Sequence, residues 1–295
     1  MKNQKIKKTV LAMLVSIFAI VLAACSGGGG SSSGGAGEGG AADDGPGGKL
    51  GEILEKGKLV ICTDPAWAPF EYIGANGEPV GVDIDIANKI AEELGVELEI
   101  VSVSFDSISN YISSGEVDMS LSCITITDER KEEWDFSVPY TTVQQFMVVN
   151  ADSSIAVLED LKGANIGTHL GTTGDFLVDG EINGDGGVLK DSGAQNMQYK
   201  ALPDAANELK SGTLQAIICD SVLAENIVKA NGDAFKCFTV KYADGNEAEI
   251  ENIGIAMPKG DDDFVNKVSE IVQGLVDSGY VEESYVKHSE EASKL

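Results

Sequence analysis

The chain has 295 residues, with 48 acidic and 21 basic side chains and a formal net charge of −27 at pH 7. A surface this acidic repels nucleic acid and anionic lipid head groups, so both are excluded as partners. Beyond a Gly- and Ser-rich stretch near the N-terminus, about 245 residues remain, which is one large domain or two of ordinary size.

The first 24 residues have the pattern of a secretory signal. Four lysines precede an apolar run over residues 10–24, which is shorter than the roughly 20 residues of a transmembrane helix. The sequence Leu22-Ala23-Ala24-Cys25 then resembles the lipobox of bacterial lipoproteins, in which the chain is cut before a lipidated cysteine. We therefore predict a signal peptide over residues 1–24 and a lipid on Cys25 that anchors the protein to the outer face of the cell membrane. An ordinary cleaved signal followed by a chance cysteine is the alternative.

The next segment has almost no residue that can enter a core. Residues 26–48 are nearly all Gly, Ser, Ala, Asp and Glu, a composition typical of flexible, disordered linkers. Residues 25–50 are therefore predicted to form the lipidated cysteine and its tether.

Strands and helices alternate in the first half of the remaining chain. In order, the patterns predict a strand over 58–63, a helix with apolar Ile84, Ala87, Ala91 and Leu94 that stops at Gly95, a strand over 96–103, a helix over 105–114 closed by Gly115, and a strand over 118–121. This alternation is typical of α/β folds in which strands pair in parallel through right-handed crossovers.

The second half repeats the arrangement. In order, the patterns predict a strand over 165–168, a turn at Gly171, a helix, a strand over 197–200, a helix over 202–210 and a strand over 216–219. They then predict a strand over 249–257 that ends at Pro258 and a final amphipathic helix from Phe264 to Leu275. The Gly-rich residues 180–193 have no assignment. The repetition predicts two lobes that face each other across a cleft, with Ser122 and Asp220 just after strands, where α/β sheets bind ligands. Chance recurrence of Ser-Gly after a helix is the alternative.

Arg130 is the one arginine among the 21 basic residues. A guanidinium binds a carboxylate with two parallel hydrogen bonds, which a lysine cannot do, so a chain that otherwise avoids arginine has reason to use one at such a site. A surface ion pair with Asp128, Glu132 or Glu133 is the alternative.

Seven motifs occur in the order found in the polar amino acid family of ABC importer solute-binding proteins, and the chain resembles this family over nearly all of residues 51–287. The motifs are DPAWAPFE from Asp64, VGVDID from Val80, ITITDER ending at Arg130, DFSVPY from Asp135, LEDLKG from Leu158, GTTG from Gly171 and IGIAMPKG from Ile253.

The resemblance implies a type 2 periplasmic-binding fold of two α/β lobes, each a mixed, mainly parallel sheet flanked by helices. Lobe 1 is expected to comprise residues 51–140 and 254–295 and lobe 2 residues 145–248, joined by hinge strands over 141–144 and 249–253. It also implies an extracytoplasmic protein that captures a polar amino acid, works as a monomer and delivers its ligand to the permease subunits of an ABC transporter.

Carried over by position, the resemblance assigns a role to each site residue. Arg130 would hold the ligand carboxylate with Thr125, Thr172 and Thr173, and Asp220 would hold the ammonium with Ser122 and Cys123. Trp67 and Phe105 would flank the side chain, and Asp64 would meet its polar end. Each buried charge of a zwitterion then has an opposite partner. The alternatives are helix or turn capping by Asp220 and Asp64 and a core role for both rings.

Departures from the family pattern bear on the ligand. Cys123 stands where many relatives have Gly or Ser, Cys219 stands where the glutamine-binding relative has His, and His169 stands where that relative has Lys. Two rings with Asp64 favour a cationic or amide side chain, such as that of Arg, Lys, His or Gln, and an acidic ligand would be repelled.

Neither a cofactor nor a metal site is expected. The cysteines show no zinc spacing, and His169 and His288 are far apart in sequence. An exported chain permits disulfides, and pairs Cys62–Cys123 and Cys219–Cys237 would each stay within a lobe, although free thiols are equally consistent.

Two other functions use the same fold. An enzyme such as a dehydratase of prephenate-like acids would need a general acid or base in the cleft, for which His169 is the candidate. A sensory receptor would bind a solute without importing it. The Arg130 and Asp220 pair favours binding of an α-amino acid without catalysis.

Overall fold

The structure is a computed structural model and describes residues 47–294. The predicted signal peptide, Cys25 and most of the predicted tether lie outside the described residues. Within residues 47–294, no helix combines the length and the apolar character that a membrane span requires.

Within the described residues, eleven helices and strands lead to the first long crossing strand. They are α1 (Gly48–Lys56), β1 (Lys58–Thr63), β2 (Ala66–Trp67), β3 (Glu71–Ile73), β4 (Pro79–Val80), α2 (Val82–Leu94), β5 (Glu97–Ser102), α3 (Ile108–Ser114), which follows a 3-10 turn at Phe105–Ser107, β6 (Met119–Ser120), α4 (Asp128–Glu133), β7 (Trp134–Phe136) and then the crossing strand β8 (Thr141–Asn150).

The elements after β8 complete the second sheet and return to the first. They are β9 (Asn165–His169), which follows a 3-10 turn at Leu158–Leu161, α5 (Thr173–Asn183), β10 (Gln195–Tyr199), α6 (Leu202–Ser211), β11 (Ala216–Asp220), α7 (Ser221–Asn231), β12 (Phe235–Thr239), which follows a 3-10 turn at Gly232–Ala234, β13 (Ile250–Ile253), β14 (Ala256–Pro258), α8 (Asp262–Asp277) and α9 (Tyr280–Ala292).

Two mixed sheets form the two lobes. The first has the order β5-β1-β6-β14-β7, in which β1 pairs in parallel with β5 and β6 while β14 runs antiparallel to β6 and β7. The second has the order β10-β9-β11-β8-β12, with β10, β9 and β11 parallel and β8 antiparallel to both of its neighbours. A small antiparallel sheet, β2-β3-β4, accompanies the first lobe.

The chain passes between the sheets on two paired strands. Residues 141–144 of β8 pair with β13, and residues 145–148 pair with β11 in the second sheet. The predicted single strand over 249–257 is wrong, because β13 and β14 belong to different sheets and the chain changes sheet at Gly254 and Ile255. A Cβ on Gly254 would lie 2.8 Å from the Ile126 side chain, so the change of sheet occurs where the chain passes close to a neighbour.

The ends of the folded part differ from the prediction. Helix α1 begins at Gly48, inside the predicted tether of residues 25–50, because Leu50 and Ile53 are buried in the core of the first lobe. Helix α8 is also not the last one. Helix α9 follows it, and both pack against α2. In α9, His288 is buried, and its Nε2 lies 3.0 Å from Asp85 Oδ2 on α2.

The repeated Ser-Gly signals do end helices. Gly115 after α3 and Gly212 after α6 both have left-handed backbone conformations, with φ of 74° and 83°. The unassigned residues 180–193 comprise the end of α5 and a loop whose Leu189 is fully buried. All four cysteines from Cys62 onward are free thiols in the structure, so neither disulfide pairing considered from the sequence is present.

Candidate functional site

The residues predicted from the sequence lie where strands of the two sheets end. In the first lobe, Asp64 follows β1, Phe105 follows β5 and Ser122 follows β6, and in the second lobe His169 ends β9 and Asp220 ends β11. Because β1, β5 and β6 are parallel, as are β9 and β11, their carboxyl ends meet at one edge of each sheet. The fold therefore brings these side chains together across the cleft.

Three rings form an aromatic cluster that spans the cleft. Trp67 stacks on Phe105 with 6.2 Å between ring centroids, and His169 from the second lobe stacks on Trp67 at 5.1 Å. The centroids of Phe105 and His169 are 5.9 Å apart. The indole Nε1 of Trp67 and the Nδ1 of His169 are buried without a hydrogen-bond partner among the described residues. The cluster thus combines flat apolar surface with unused polar atoms, as a site for a polar ligand requires.

Asp64 lies beside this aromatic cluster. Its Oδ2 accepts a hydrogen bond from the backbone N–H of Phe105 at 3.0 Å, and His169 Nε2 is 3.7 Å from the same oxygen. Burial raises the pKa of Asp64 to about 6, against the effect of the Phe105 N–H, which favours the charged form. Burial lowers the pKa of His169, so near neutral pH a carboxylate lies opposite a neutral imidazole.

Arg130 connects the two lobes from the other end of the site. It lies in α4, whose N-terminus is capped by the side chain of Thr127. Its Nη1 donates to the carbonyl oxygen of Thr125 at 2.8 Å and its Nη2 donates to the carbonyl oxygen of Gly171 at 3.2 Å. The guanidinium is 5.7 Å from the Phe105 ring centroid, within the range of a cation–π contact. The guanidinium is therefore held by both lobes.

Asp220 is buried at the end of β11, with 4% of its surface exposed. Its side chain makes no capping hydrogen bond to α7, so the capping interpretation does not account for it. Oδ1 instead accepts from Gln145 Nε2 at 2.6 Å. Burial and the nearby charge of Glu251 raise the pKa of Asp220 to about 7, while the Gln145 hydrogen bond and the charge of Arg130 act in the opposite direction.

The hydroxyl groups of the site have different partners. Thr125 Oγ1 and Thr173 Oγ1 both donate to Glu251 Oε2. Thr172 caps α5, because its Oγ1 accepts from the Asp175 N–H and donates to the His169 carbonyl oxygen. Ser122 Oγ accepts from the Asp64 N–H at 2.9 Å. Among these hydroxyls, that of Thr172 makes its hydrogen bonds to nearby backbone groups at the start of α5.

Cys123 has a backbone conformation that L-residues rarely adopt. Its φ is 47°, and its N–H donates to Asp83 Oδ2 at 2.8 Å. Strained backbone of this kind clusters at functional sites. Cys123 is buried, and burial raises the pKa of its thiol well above the usual value, so the side chain is an uncharged apolar group.

Sequence comparison identifies the class of protein to which this site belongs. The family model of bacterial extracellular solute-binding proteins, family 3, matches residues 59–291. The chain belongs to this family. It is 29% identical over 229 residues to the probable histidine-binding protein of Neisseria gonorrhoeae, covering 77% of this chain and 81% of that protein. It is 31% identical over 227 residues to the arginine-binding extracellular protein ArtP of Bacillus subtilis (strain 168), covering 77% and 84%.

Solved structures agree with the fold of this solute-binding protein. An arginine-bound truncated form of ArgBP from T. maritima has a TM-score of 0.66 and 32% identity, covering 76% of this chain and 99% of that chain. The ancestral amino acid-binding protein AncCDT-1, a precursor of cyclohexadienyl dehydratase, has a TM-score of 0.70 and 31% identity, covering 81% and 99%. The predicted type 2 periplasmic-binding fold is confirmed.

Several residues of the solute-binding protein's cleft were not predicted from the sequence. Gln145 on β8 and Glu251 on β13 bond to predicted residues, yet nothing in the alternating pattern of a crossing strand distinguishes them. Glu71 and Asp83 lie behind Ser122 and Cys123: Ser122 Oγ donates to Glu71 Oε1 and the Cys123 N–H donates to Asp83. Both acids belong to family motifs, which is the signal that was available for them.

The buried acids Glu71 and Asp83 predict a dependence of stability on pH. Both are fully buried, and burial raises the pKa of Asp83 to about 6 and that of Glu71 well above its usual value. In the unfolded chain both titrate near 4. The folded state therefore binds more protons, and the stability that these acids contribute in acid is lost as the pH rises through the folded pKa.

Asp83→Asn is expected to remove the contribution of Asp83. In denaturant unfolding, the free energy of unfolding of the variant should increase relative to that of the native protein as the pH rises from about 4 to about 6, by up to about 3 kcal/mol. Glu93→Gln, which changes an exposed carboxylate on the same helix, is the control and should follow the native curve. A pH-independent difference between Asp83→Asn and the native protein would contradict the raised pKa.

Proposed function

We propose that this solute-binding protein captures a polar amino acid with a cationic or amide side chain between its two lobes and delivers it to the permease of an ABC importer. The observation that carries the proposal is the pair of opposite charges contributed by the two lobes, the half-buried Arg130 from the first and the buried Asp220 from the second. A zwitterion leaves water at tolerable cost only where each of its charges meets an opposite one.

The backbone of the ligand is assigned to polar groups at the strand ends. Arg130, with Thr125, Thr172 and Thr173, holds the carboxylate, the last two through the N-terminus of α5, where backbone N–H groups favour an anion. Asp220, helped by Ser122 and Cys123, holds the ammonium. Gln145 keeps Asp220 in place through its 2.6 Å hydrogen bond.

The side chain of the ligand is assigned to the aromatic cluster. Trp67 and Phe105 supply the flat faces, and Asp64 with His169 supplies the polar end. Because Asp64 has a pKa of about 6, it is largely ionised at neutral pH and favours a cation over an anion. The named ligands of two relatives, histidine and arginine, are in the favoured class.

Capture requires the lobes to open and close. The paired segments of β8 and β13 are the two places where the chain passes between the sheets, so we assign the hinge to residues 141–144 and 249–253. A ligand held by Arg130 and Asp220 makes contacts in both lobes and therefore favours the closed form, which the permease would recognise.

A ligand titration tests the proposal. Purified protein is incubated with each of the common amino acids, and the thermal unfolding midpoint is measured. A ligand at 100 times its dissociation constant should add about 2.7 kcal/mol to the free energy of unfolding, a shift of roughly 5–10 °C for a chain of this size. A midpoint that no amino acid moves would contradict the proposal.

Asp64→Asn tests the side-chain assignment. The variant keeps the size of the side chain and removes its charge, so the affinity for arginine should fall about tenfold or more, whereas the affinity for glutamine should change little. Glu99→Gln, an exposed carboxylate on β5, is the matched control and should leave both affinities unchanged. Equal losses for both ligands in Asp64→Asn would contradict the assignment of Asp64 to the charged end.

The enzymatic alternative is separated by the same samples. AncCDT-1, a structural neighbour, is described as a precursor of a dehydratase. A general base near pH 7 would need an accessible ring nitrogen, whereas His169 is buried and stacked on Trp67. We therefore infer binding without turnover, and prephenate incubated with the protein should be recovered unchanged. A sensory receptor would bind its ligand as an importer subunit does. Uptake of the bound amino acid through the permease, which the importer subunit supports and a sensory receptor does not, distinguishes the two.

We also propose that Cys25 carries the lipid that keeps the protein at the membrane. A lipidated cysteine supplies an anchor without a transmembrane helix. In a bacterial host grown with labelled palmitate, the native protein should incorporate the label, Cys25→Ala should not, and Cys62→Ala, which changes a buried thiol of β1, should incorporate it as the native protein does. Label that persists in the Cys25→Ala protein would argue against a lipid on Cys25.

A further inference from the structure

Glu251 ties the two lobes together through one carboxylate oxygen. It lies on the crossing strand β13, and its Oε2 accepts from Thr125 Oγ1 at 2.9 Å and from Thr173 Oγ1 at 2.7 Å. Thr125 follows β6 of the first lobe, and Thr173 begins α5 of the second. A single side chain on the strand between the lobes therefore holds a hydroxyl from each.

These partners are those that the proposed function gives to the ligand carboxylate. Two hydroxyls donate to Glu251. Burial lowers the pKa of Arg130, and the charges of Asp220 and Glu251 act against that effect. Hydroxyl donors close to a guanidinium form an environment that stabilises a carboxylate. In the structure this environment is occupied by a carboxylate of the chain itself.

The carboxylates of Glu251 and of the ligand cannot both accept from these hydroxyls while both are ionised, because two negative charges next to the same donors repel strongly. Glu251 has a direction in which to move, since it is only partly buried and also lines a cavity of about 610 Å³ beside Glu247, Glu249 and Tyr242. Rotation into that cavity frees the hydroxyls of Thr125 and Thr173 and loosens the connection between the lobes.

We propose that Glu251 is an internal competitor for the carboxylate of the ligand. It holds the hydroxyls of Thr125 and Thr173, and an amino acid binds by taking them over as Glu251 turns away. This inference rests on the proposed function, because it assumes that an amino acid enters this cleft with its carboxylate near Arg130. Glu251 then lowers the affinity for ligands that carry a carboxylate and spares amines that lack one.

The test compares each amino acid with its decarboxylated amine. Affinities of native protein, Glu251→Ala, Glu251→Gln and the control Glu55→Ala are measured calorimetrically for L-arginine and agmatine, L-histidine and histamine, and L-lysine and cadaverine. Losing a competitor that makes charged hydrogen bonds should tighten binding of the amino acid about tenfold in both Glu251 variants. The affinity for the matching amine should not rise, and Glu55→Ala, which alters an exposed glutamate of α1, should match the native protein.

The opposite result overturns the proposal. If both Glu251 variants bind the amino acid more weakly, or if amino acid and amine change by the same factor, Glu251 contacts the ligand directly and does not compete with it. Native protein that binds none of these amino acids contradicts the proposed function instead, so the two failures are distinct.

A measurement without ligand tests the bridge between the lobes. The radius of gyration from small-angle scattering should increase in Glu251→Ala relative to the native protein and stay unchanged in Glu55→Ala. An unchanged radius in Glu251→Ala overturns the proposal even where no amino acid binds. Unfolding midpoints of all variants establish that each is folded before either comparison is made.

Discussion

Arg130→Lys is expected to weaken amino acid binding by about 30-fold or more, with little change in the stability of the protein. The guanidinium is held in the cleft by the carbonyl oxygens of Thr125 and Gly171, one in each lobe. A lysine keeps the charge but loses the planar pair of donors, and truncating one partner of a buried hydrogen-bonded charge pair costs about 2 kcal/mol or more of binding free energy.

Calorimetric titration with the amino acid that binds best to the native protein measures this loss. Lys131→Ala is the control, since it removes a basic side chain from the next position of α4, where Lys131 Nζ forms an ion pair with the exposed Asp128. The control should bind as the native protein does. Near-native affinity in Arg130→Lys would show that the guanidinium does not hold the carboxylate.

Asp220→Asn is expected to have the largest effect on binding, a loss of about 100-fold or more. The substitution removes the buried negative charge assigned to the ligand ammonium, and a buried ion pair deprived of one partner loses about 3 kcal/mol or more. The hydrogen bond from Gln145 Nε2 survives, because the asparagine Oδ1 accepts as the carboxylate oxygen does. Binding is therefore lost without disruption of the neighbouring groups.

The stability of Asp220→Asn shows whether Asp220 serves ligand binding or the structure of the protein. Burial raises the pKa of Asp220 to about 7, above the unfolded value near 4. Above pH 7 the folded protein therefore carries a buried carboxylate whose ionisation lowers its stability. At pH 8 the variant without ligand should thus be at least as stable as the native protein in denaturant unfolding. Asp204→Asn, an exposed carboxylate on α6, is the control and should retain binding. Weak binding together with a lower stability would mean that Asp220 has a structural role.

A raised pKa at Asp220 also makes binding depend on pH. The ammonium requires the ionised carboxylate, so the affinity of the native protein should fall as the pH drops below about 7. In Asp220→Asn this part of the pH dependence should be absent, which leaves, for a cationic ligand, the part produced by Asp64 with its pKa of about 6. The difference in pH dependence between the native protein and Asp220→Asn therefore links the loss of binding to the charge of Asp220.

The sequence by itself determined the fold class and most of the local elements. The apolar spacing of Ile84, Ala87 and Ala91 follows the buried face of α2, and Gly95 ends that helix. The strand over 58–63 coincides with β1. These features are readable because helix and strand periods and glycine stops are local properties of the chain. The family was also readable, since its motifs occur in order along the chain, and they pointed to the lone Arg130.

Only the tertiary structure decided which residues meet across the cleft. Glu251 contacts Thr125 and Thr173, and His169 stacks on Trp67, through pairings between distant segments that no local pattern encodes. The split of residues 249–257 into β13 and β14 has the same cause, because an apolar run is compatible with either sheet until its partners are in place. The burial that raises the pKa of Asp220 likewise exists only after both lobes have formed. Local periodicity determined the elements, and long-range pairing determined the site.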